Sequence, residues 1–156
     1  MKTLILYASK HGGTRDIANR LTALFSDAHA HDLKAPGVPS LADYDLVIIG
    51  SSLYAGAIRK EARVYMESNV YSLRNKKLGL FLCGLDLEDS EQYFKENFPA
   101  ALLETAAATA FLPGVYDPGK ATFLDKLMLK IAKKDSGYID MTDDAKVQAF
   151  ADALKD

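Results

Sequence analysis

The sequence predicts an α/β fold in which a five-stranded parallel sheet lies between two layers of helices. Two observations lead to this fold class. Short, continuous apolar runs, such as TLILYA, LVII and LGLFLC, are typical of strands buried on both faces. Stretches whose apolar residues recur with the helical period lie between them, and this alternation indicates βαβ units. The spacing of the five strands favours the doubly wound strand order 2-1-3-4-5.

The first half of the chain supplies three of the predicted strands. Residues 3–8 form the first apolar run, and residues 14–25 follow as a helix with apolar side chains three and four positions apart. Residues 29–33 form a weaker second strand, which a loop with two prolines and a glycine follows. Residues 46–49 are the third strand, and residues 58–73 have the pattern of the next helix.

The second half supplies the other two strands and the helix between them. Residues 78–83 are an apolar run and predict the fourth strand, and residues 109–112 predict the fifth. Residues 89–105 between them are predicted to be helical. Pro99 interrupts this stretch, so it either kinks the helix or starts a new helix at its first turn.

Two more helices are predicted after the fifth strand. Residues 143–154 form the last one, with Thr142 as its N-cap and two aspartates in its first turn. Residues 121–134 form an extra helix, and the stretch 118–134 carries five lysines and one aspartate beside an apolar face. A basic amphipathic helix of this kind can pack on the protein, cover a crevice, lie on a membrane surface or bind a partner.

The composition is that of one globular domain over residues 1–156, with 49% hydrophobic and 26% charged residues. The formal net charge of −2 argues against a nucleic-acid-binding protein. Cys83 is the single cysteine, which excludes an internal disulfide and a multi-cysteine metal site. We therefore expect a reduced, cytoplasmic setting, with no signal peptide and no membrane-spanning helix.

The loop after the first predicted strand reads SKHGGT. Its glycines allow successive backbone N–H groups to turn inward, its hydroxyls add donors, and the following helix adds the positive end of its dipole, so the loop is suited to hold a phosphate. Alternatively, the glycines only make a tight turn. The chain has neither a Walker loop nor the dinucleotide pattern GxGxxG. The candidate phosphate-binding residues are Ser9, Lys10, His11, Gly12, Gly13 and Thr14.

Two further loops are predicted at the edge of the sheet where the doubly wound order places its ligand crevice. The stretch GSSLYAG, residues 50–56, carries Tyr54 among small residues, which suits a flat ligand that stacks on the ring. Alternatively, the ring packs on the protein's own surface. Residues 83–86 follow the fourth strand, and Cys83 at its end is expected to be a buried, small apolar residue.

Three segments of the chain resemble one known family. The FMN phosphate loop of flavodoxins is similar to YASKHGGTRDIA at residues 7–18. The second flavin loop and the helix after it are similar to GSSLYAGAIRKEARVYME at residues 50–67, and the segment after the fifth strand to GVYDPGKATFLDKLMLKI at residues 114–131. The chain also resembles the menaquinone-dependent protoporphyrinogen dehydrogenases, which share this fold. The resemblance implies a flavodoxin-like fold over nearly the whole chain.

The resemblance also implies FMN as the cofactor, with its phosphate held by residues 9–14. The chain departs from ordinary flavodoxins in having His11 where threonine is common, no tryptophan, and little net charge. His11 would either donate to the phosphate or face solvent. Asp86 is a candidate for a charge that opposes flavin reduction. The residues expected beside the isoalloxazine ring are Ser51, Ser52, Leu53, Tyr54, Ala55, Gly56, Cys83, Gly84, Leu85 and Asp86.

The expected function is electron transfer through bound FMN, with redox proteins or a quinone as partners and no nucleic acid. The alternative is a quinone-linked flavin dehydrogenase that acts on protoporphyrinogen or a similar substrate, touching the inner face of the membrane through residues 118–134. A third possibility is a phosphate-binding module without redox chemistry, which would not bind flavin.

Overall fold

The computed structural model describes residues 1–84, 90–116, 139–140 and 143–156. Its main sheet has the strand order β2-β1-β3-β5-β6, and all neighbours on this path are parallel. A two-residue strand, β4, pairs antiparallel with the end of β3. The predicted order 2-1-3-4-5 is therefore confirmed, with β4 as an addition. The strands are β1 (Lys2–Ala8), β2 (Asp27–Asp32), β3 (Leu46–Tyr54), β4 (Ala57–Ile58), β5 (Lys77–Gly84) and β6 (Ala108–Pro113).

Helices cover the sheet on both faces, because alternate residues of the central strands point to opposite sides. On one face Ile5 of β1 and Phe81 of β5 belong to a buried cluster with the first and last helices. On the other face Leu4 of β1 and Leu80 of β5 belong to a cluster with the helices between them. The helices are α1 (Gly13–Ala23), α2 (Lys60–Ser68), α3 (Val70–Arg74), α4 (Ser90–Asn97), α5 (Ala100–Thr105) and α6 (Asp144–Lys155).

Two predicted helices are each divided in the structure. The stretch 58–73 breaks at Asn69, whose side-chain Nδ2 donates to the Tyr65 carbonyl oxygen at 2.8 Å. Side-chain bonds of this kind compete with the helical ladder. The stretch 89–105 breaks at Pro99, which precedes α5 and so starts a new helix rather than kinking one.

The end of the chain differs in one detail from the prediction. The N-cap of α6 is Asp143 and not Thr142, since the Asp143 carboxylate accepts a hydrogen bond from the Lys146 backbone N–H at 3.2 Å. Beyond β6, the short strands β7 (Val115–Tyr116) and β8 (Ile139–Asp140) pair antiparallel. The predicted extra helix at residues 121–134 lies outside the described residues.

Candidate functional site

The three predicted loops meet at the carboxyl ends of β1, β3 and β5. In the sheet register Ala8 pairs with Ser51, and Ser52 pairs with Cys83. These pairs place the SKHGGT loop, the end of β3 and the end of β5 side by side, at the switch point of the doubly wound sheet. The fold therefore brings together the described members of the predicted site. Leu85 and Asp86 lie outside the described residues.

The SKHGGT loop is folded as a tight turn into α1. Gly12 is the N-cap of α1 and has a φ of 88°, a left-handed conformation that favours glycine. Its backbone N–H donates to Ser9 Oγ at 2.9 Å. The Lys34 ammonium, which follows β2, donates to the Ser9 carbonyl oxygen at 2.8 Å. Lys34 is thus a loop-fixing residue that the sequence pattern did not indicate.

Thr14 lies in the first turn of α1, directly after the glycines. Its side chain is completely buried, and its hydroxyl oxygen has no hydrogen-bond partner in the part of the chain that the structure describes. A buried hydroxyl without a partner is uncommon and costs free energy. The first N–H groups of a helix also lack partners within the helix. This end of α1 therefore offers an arrangement of donors that is suited to an anion.

The second loop is mostly strand, which corrects the expectation of an open loop at residues 50–56. Strand β3 continues through Ser51 to Tyr54, and the chain then reverses at Ala55 and Gly56, whose φ angles are 50° and 78°. Two consecutive positive φ angles are typical of a tight hairpin turn. For alanine this conformation is strained, and strained backbone occurs often at functional sites.

Two serines join this hairpin to its surroundings. Ser51 is buried, and its Oγ accepts from the Arg59 backbone N–H at 2.9 Å and donates to the Ser52 carbonyl oxygen at 2.9 Å. Ser52 Oγ accepts from the Lys10 backbone N–H at 3.2 Å. The side chain of Ser51 therefore holds the hairpin, while Ser52 ties the hairpin to the SKHGGT loop.

Asn97, at the end of α4, contacts the turn of the hairpin and its second strand, β4. Its Oδ1 accepts from the Ile58 backbone N–H at 3.1 Å, and its Nδ2 donates to the Gly56 carbonyl oxygen at 2.9 Å. Nδ2 also lies 2.9 Å from the Tyr93 carbonyl oxygen in its own helix. Asn97 was missed by sequence reasoning, because one asparagine at a helix end carries no pattern that indicates a partner 41 residues away.

Cys83 lies beneath the SKHGGT loop, at the end of β5. Its side chain is 3% exposed, and a Cβ added at Gly114 would lie 2.6 Å from its Sγ. The prediction of a buried, small apolar residue is therefore confirmed. Burial raises the pKa of the thiol to about 12. A thiol in this state is a poor nucleophile.

Comparisons with known proteins identify the family. The family model described as flavodoxin domain matches residues 4–143, more than half of the chain. The chain belongs to the flavodoxin domain family. A search of curated protein sequences finds no match to this flavodoxin domain.

Solved structures of flavodoxins have the same fold at low sequence identity. The two-electron reduced flavodoxin of Megasphaera elsdenii is 15% identical, with a TM-score of 0.62 and 97% of each chain covered. Oxidised flavodoxin 2 from Bacillus cereus is 21% identical and has a TM-score of 0.60. The match covers 99% of this chain and 98% of that chain. A Lactobacillus acidophilus flavoprotein in complex with FMN is 16% identical, with a TM-score of 0.55, 70% of this chain and 92% of that chain covered.

The described residues of this flavodoxin domain contain neither a metal-binding cluster nor a membrane-spanning helix. Within residues 1–84, 90–116, 139–140 and 143–156, no group of three or more His, Cys, Asp or Glu side chains could hold a metal ion. Among the same residues, no helix is both long enough and apolar enough to cross a membrane.

Asn97→Ala is expected to lower the free energy of unfolding of this flavodoxin domain by about 2 kcal/mol, because the buried Ile58 N–H loses its partner. Chemical denaturation measures the change. Asn75→Ala is the matched control. Asn75 Nδ2 also donates to the carbonyl oxygen four residues earlier, that of Tyr71, but Asn75 makes no hydrogen bond to the hairpin at Ala55 and Gly56 among the described contacts. The control should change stability by less than about 0.5 kcal/mol. Equal effects of the two variants would contradict the assigned role.

The Cys83 thiol is expected to resist labelling in the folded protein. A pKa of about 12 in place of the ordinary 9.0 leaves about a thousandfold less thiolate at pH 8. Release of the chromophore from an aromatic disulfide reagent, with and without denaturant, measures the difference. Complete labelling of folded protein within seconds would show that the thiol is accessible.

The same pKa predicts how stability depends on pH. Because folding raises the pKa of this thiol, its contribution to stability is complete below about pH 9 and is lost as the pH rises towards about 12. Burial also raises the pKa of Tyr65 to about 12, so the difference between the wild type and Cys83→Ala isolates the thiol. That difference should shrink as the pH rises from 9 to 11.

Proposed function

We propose that this chain binds FMN in a single domain and transfers electrons through it between redox proteins. The observation that carries the proposal is the buried hydroxyl of Thr14, which has no hydrogen-bond partner among the described residues and lies close to Gly12 at the N-terminus of α1. Membership of the flavodoxin domain family supports the same conclusion, and the Lactobacillus acidophilus flavoprotein of this fold is in complex with FMN.

The residues of the SKHGGT loop fit a phosphate group in three respects. The Thr14 hydroxyl can donate to a phosphate oxygen, which would give it the partner that it lacks among the described residues. Apart from Gly12 itself, its chain neighbours and the backbone of its own helix, no heavy atom of the described residues lies within 4 Å of the position that a Cβ at Gly12 would take, so the backbone at the loop stays open to a ligand. The start of α1 adds unpaired N–H groups and a positive dipole end.

The hairpin and the end of β5 are the parts of the site that would contact the isoalloxazine ring of FMN. Tyr54 is half-buried and lies on the hairpin, and Gly84 lies at the end of the neighbouring strand β5. A Cβ at Gly84 would lie 3.7 Å from Leu53 Cβ, so the two walls are close to each other. We infer that the ring stacks on Tyr54, with the remaining contacts from Ala55, Gly56 and the predicted residues 85–86.

Bound FMN would supply the redox chemistry, since flavins accept and release electrons one or two at a time. The protein residues hold the phosphate, fix the orientation of the ring and keep water from part of it. The buried hydroxyl, the left-handed Gly12 and the Asn97-supported hairpin all perform these positioning roles. Such a site serves a carrier, because electron transfer needs no general acid or base from the protein.

The test compares Thr14→Val with Thr3→Val in FMN binding. Both threonines are completely buried with unpartnered hydroxyls among the described residues, but Thr3 lies at the opposite end of β1. We expect Thr14→Val to weaken FMN binding by roughly tenfold or more, through the loss of a hydrogen bond to a charged group, and Thr3→Val to leave it unchanged. Neither variant should destabilise the flavin-free protein, because each removes an unsatisfied group.

Fluorescence quenching of added FMN gives both dissociation constants, and the absorption spectrum of the purified protein with chromatography of the released cofactor identifies the flavin. A yellow protein that releases FMN is the expected result. A colourless protein that leaves added FMN unperturbed would overturn the proposal and favour a phosphate-binding module.

The alternative, a quinone-linked dehydrogenase, rests on the sequence resemblance at residues 114–131. Reduction of bound flavin by protoporphyrinogen, followed by reoxidation with a quinone, would favour it over the carrier. Membrane contact through residues 118–134 stays a prediction from the sequence, since this segment lies outside the described residues. The cytoplasmic location also stays a prediction from the sequence. Sedimentation with anionic lipid vesicles tests the contact.

A further inference from the structure

Gly114 follows β6 directly and lies close to both the end of β5 and the SKHGGT loop. It is buried, and its backbone N–H donates to the Gly84 carbonyl oxygen at 3.1 Å. A Cβ added at Gly114 would lie 2.6 Å from Cys83 Sγ and 3.8 Å from Gly13 Cα. The backbone of Gly114 therefore packs against the end of β5 and against the residue with which α1 begins.

Space, and not backbone conformation, requires a glycine at this position. The φ angle of Gly114 lies outside the left-handed region, so an alanine would not carry the strain of that region. Non-bonded heavy atoms prefer separations of about 3.5–4.0 Å, so a methyl group 2.6 Å from Sγ would be too close by about 1 Å. The consequence is that an added methyl group must displace one of its neighbours.

The SKHGGT loop is the neighbour with the most room to move. Cys83 is only 3% exposed, and the Gly114 N–H is held by its hydrogen bond to Gly84. Gly13, in contrast, is half-buried. Gly13 and Thr14 are the first two residues of α1, so their N–H groups have no partners within the helix. A larger residue at position 114 would therefore move the very donors that the phosphate is proposed to use.

We propose that Cys83 and Gly114 form the floor beneath the SKHGGT loop, and that their small size sets the affinity of the site for a phosphate ester. This inference rests on the proposed FMN site. Both are positioning residues, because they act through Gly13 and Thr14. A displacement of about 1 Å is enough to misalign hydrogen bonds whose strength depends steeply on distance and angle.

The expected result is a selective loss of affinity for the phosphorylated flavin. FMN and riboflavin share the isoalloxazine ring and differ in the phosphate, so the ratio of their dissociation constants reports on the phosphate contacts. Gly114→Ala should weaken FMN binding by about tenfold, through the loss of a hydrogen bond to a charged group, and riboflavin binding by less than about threefold. Fluorescence quenching by the flavin-free protein gives both constants. The phosphorus resonance of bound FMN should also shift.

A compensating change tests whether the Cys83 sulfur is the obstacle. In the double variant Gly114→Ala, Cys83→Ala, the sulfur is absent and the added methyl group takes its space. The FMN affinity should then return to within about threefold of the wild type, with the wild-type phosphorus resonance. Additive effects of the two substitutions on FMN affinity would overturn the proposal.

Gly79→Ala is the matched control. A Cβ at Gly79 would also lie 2.6 Å from a buried side-chain atom, Leu154 Cδ1, but near the start of β5 and away from the loops of the site. This variant should lower the free energy of unfolding and leave the ratio of FMN to riboflavin affinity unchanged. If Gly114→Ala weakens the binding of both flavins equally, or changes the ratio no more than Gly79→Ala does, the role of Gly114 is overturned.

Two further results separate this inference from its foundation. Where Gly114→Ala does not fold, Cys83→Val adds a methyl group to the same contact from the other side, and it should show the same selective loss. An equal loss for both flavins in Cys83→Val would overturn the proposed floor. Failure of the wild type to bind FMN would instead overturn the proposed function.

Discussion

Gly50→Ala is expected to lower the free energy of unfolding by about 3 kcal/mol or more, a large effect for one added methyl group. Gly50 pairs with Phe81 across β3 and β5, and a Cβ at Gly50 would overlap the Phe81 ring. That ring cannot move aside, because it is completely buried and packs edge-on against Phe150 of α6 at 6.1 Å. Denaturant unfolding followed by circular dichroism measures the loss.

A matched control and a compensating change make this prediction specific. Gly84→Ala adds the same methyl group to the neighbouring strand, where the nearest heavy atom is 3.6 Å away, and it should change stability by less than about 1 kcal/mol. In the double variant Gly50→Ala, Phe81→Leu, the second change removes the ring from above Gly50. The Gly50 substitution should then cost much less than in the wild type. Additive effects would show that the ring is not the obstacle.

The same residues explain why the fold could be predicted from the sequence. Apolar runs such as those around Leu4 and Leu80 divide between the two faces of a covered sheet, and short continuous runs of this kind are typical of strands buried on both sides. The strand order then followed from the alternation of strands and helices. The position of the site followed from the order, because the SKHGGT loop and the end of β3 had to meet at the switch point.

The finer structure of the site could not be predicted, because it depends on contacts between distant residues. The hairpin at Ala55 and Gly56 is supported by Asn97, which is far away in the sequence. The contact between the Lys10 ammonium and the Tyr54 ring likewise requires the register of β1 and β3. Periodicity records burial and does not record such partners. The prediction of Asp86 as an opposing charge remains a prediction, since it lies outside the described residues.

Gly12→Ala is expected to weaken FMN binding by about tenfold, and its control is provided by another glycine of the chain. An alanine at φ 88° is strained by roughly 1–2 kcal/mol. The loop therefore either keeps its conformation with that strain or changes its conformation, so that its N–H groups no longer point to the phosphate. Gly37 has a φ of 77°, and in the described part of the chain an added Cβ there, as at Gly12, would meet no heavy atom of a non-neighbouring residue within 4 Å. Gly37→Ala should therefore lower stability to a similar extent and leave FMN binding unchanged.

The comparison separates backbone strain from the function of the loop, because both variants carry the same strain and only one lies at the proposed phosphate site. Gly12→Asn adds a third measurement, since asparagine adopts the left-handed region more readily than alanine and should retain more of the affinity. FMN titration monitored by fluorescence gives all three dissociation constants. An affinity of Gly12→Ala equal to that of Gly37→Ala would mean that the left-handed turn only joins β1 to α1, whereas a selective loss would assign the turn to the phosphate.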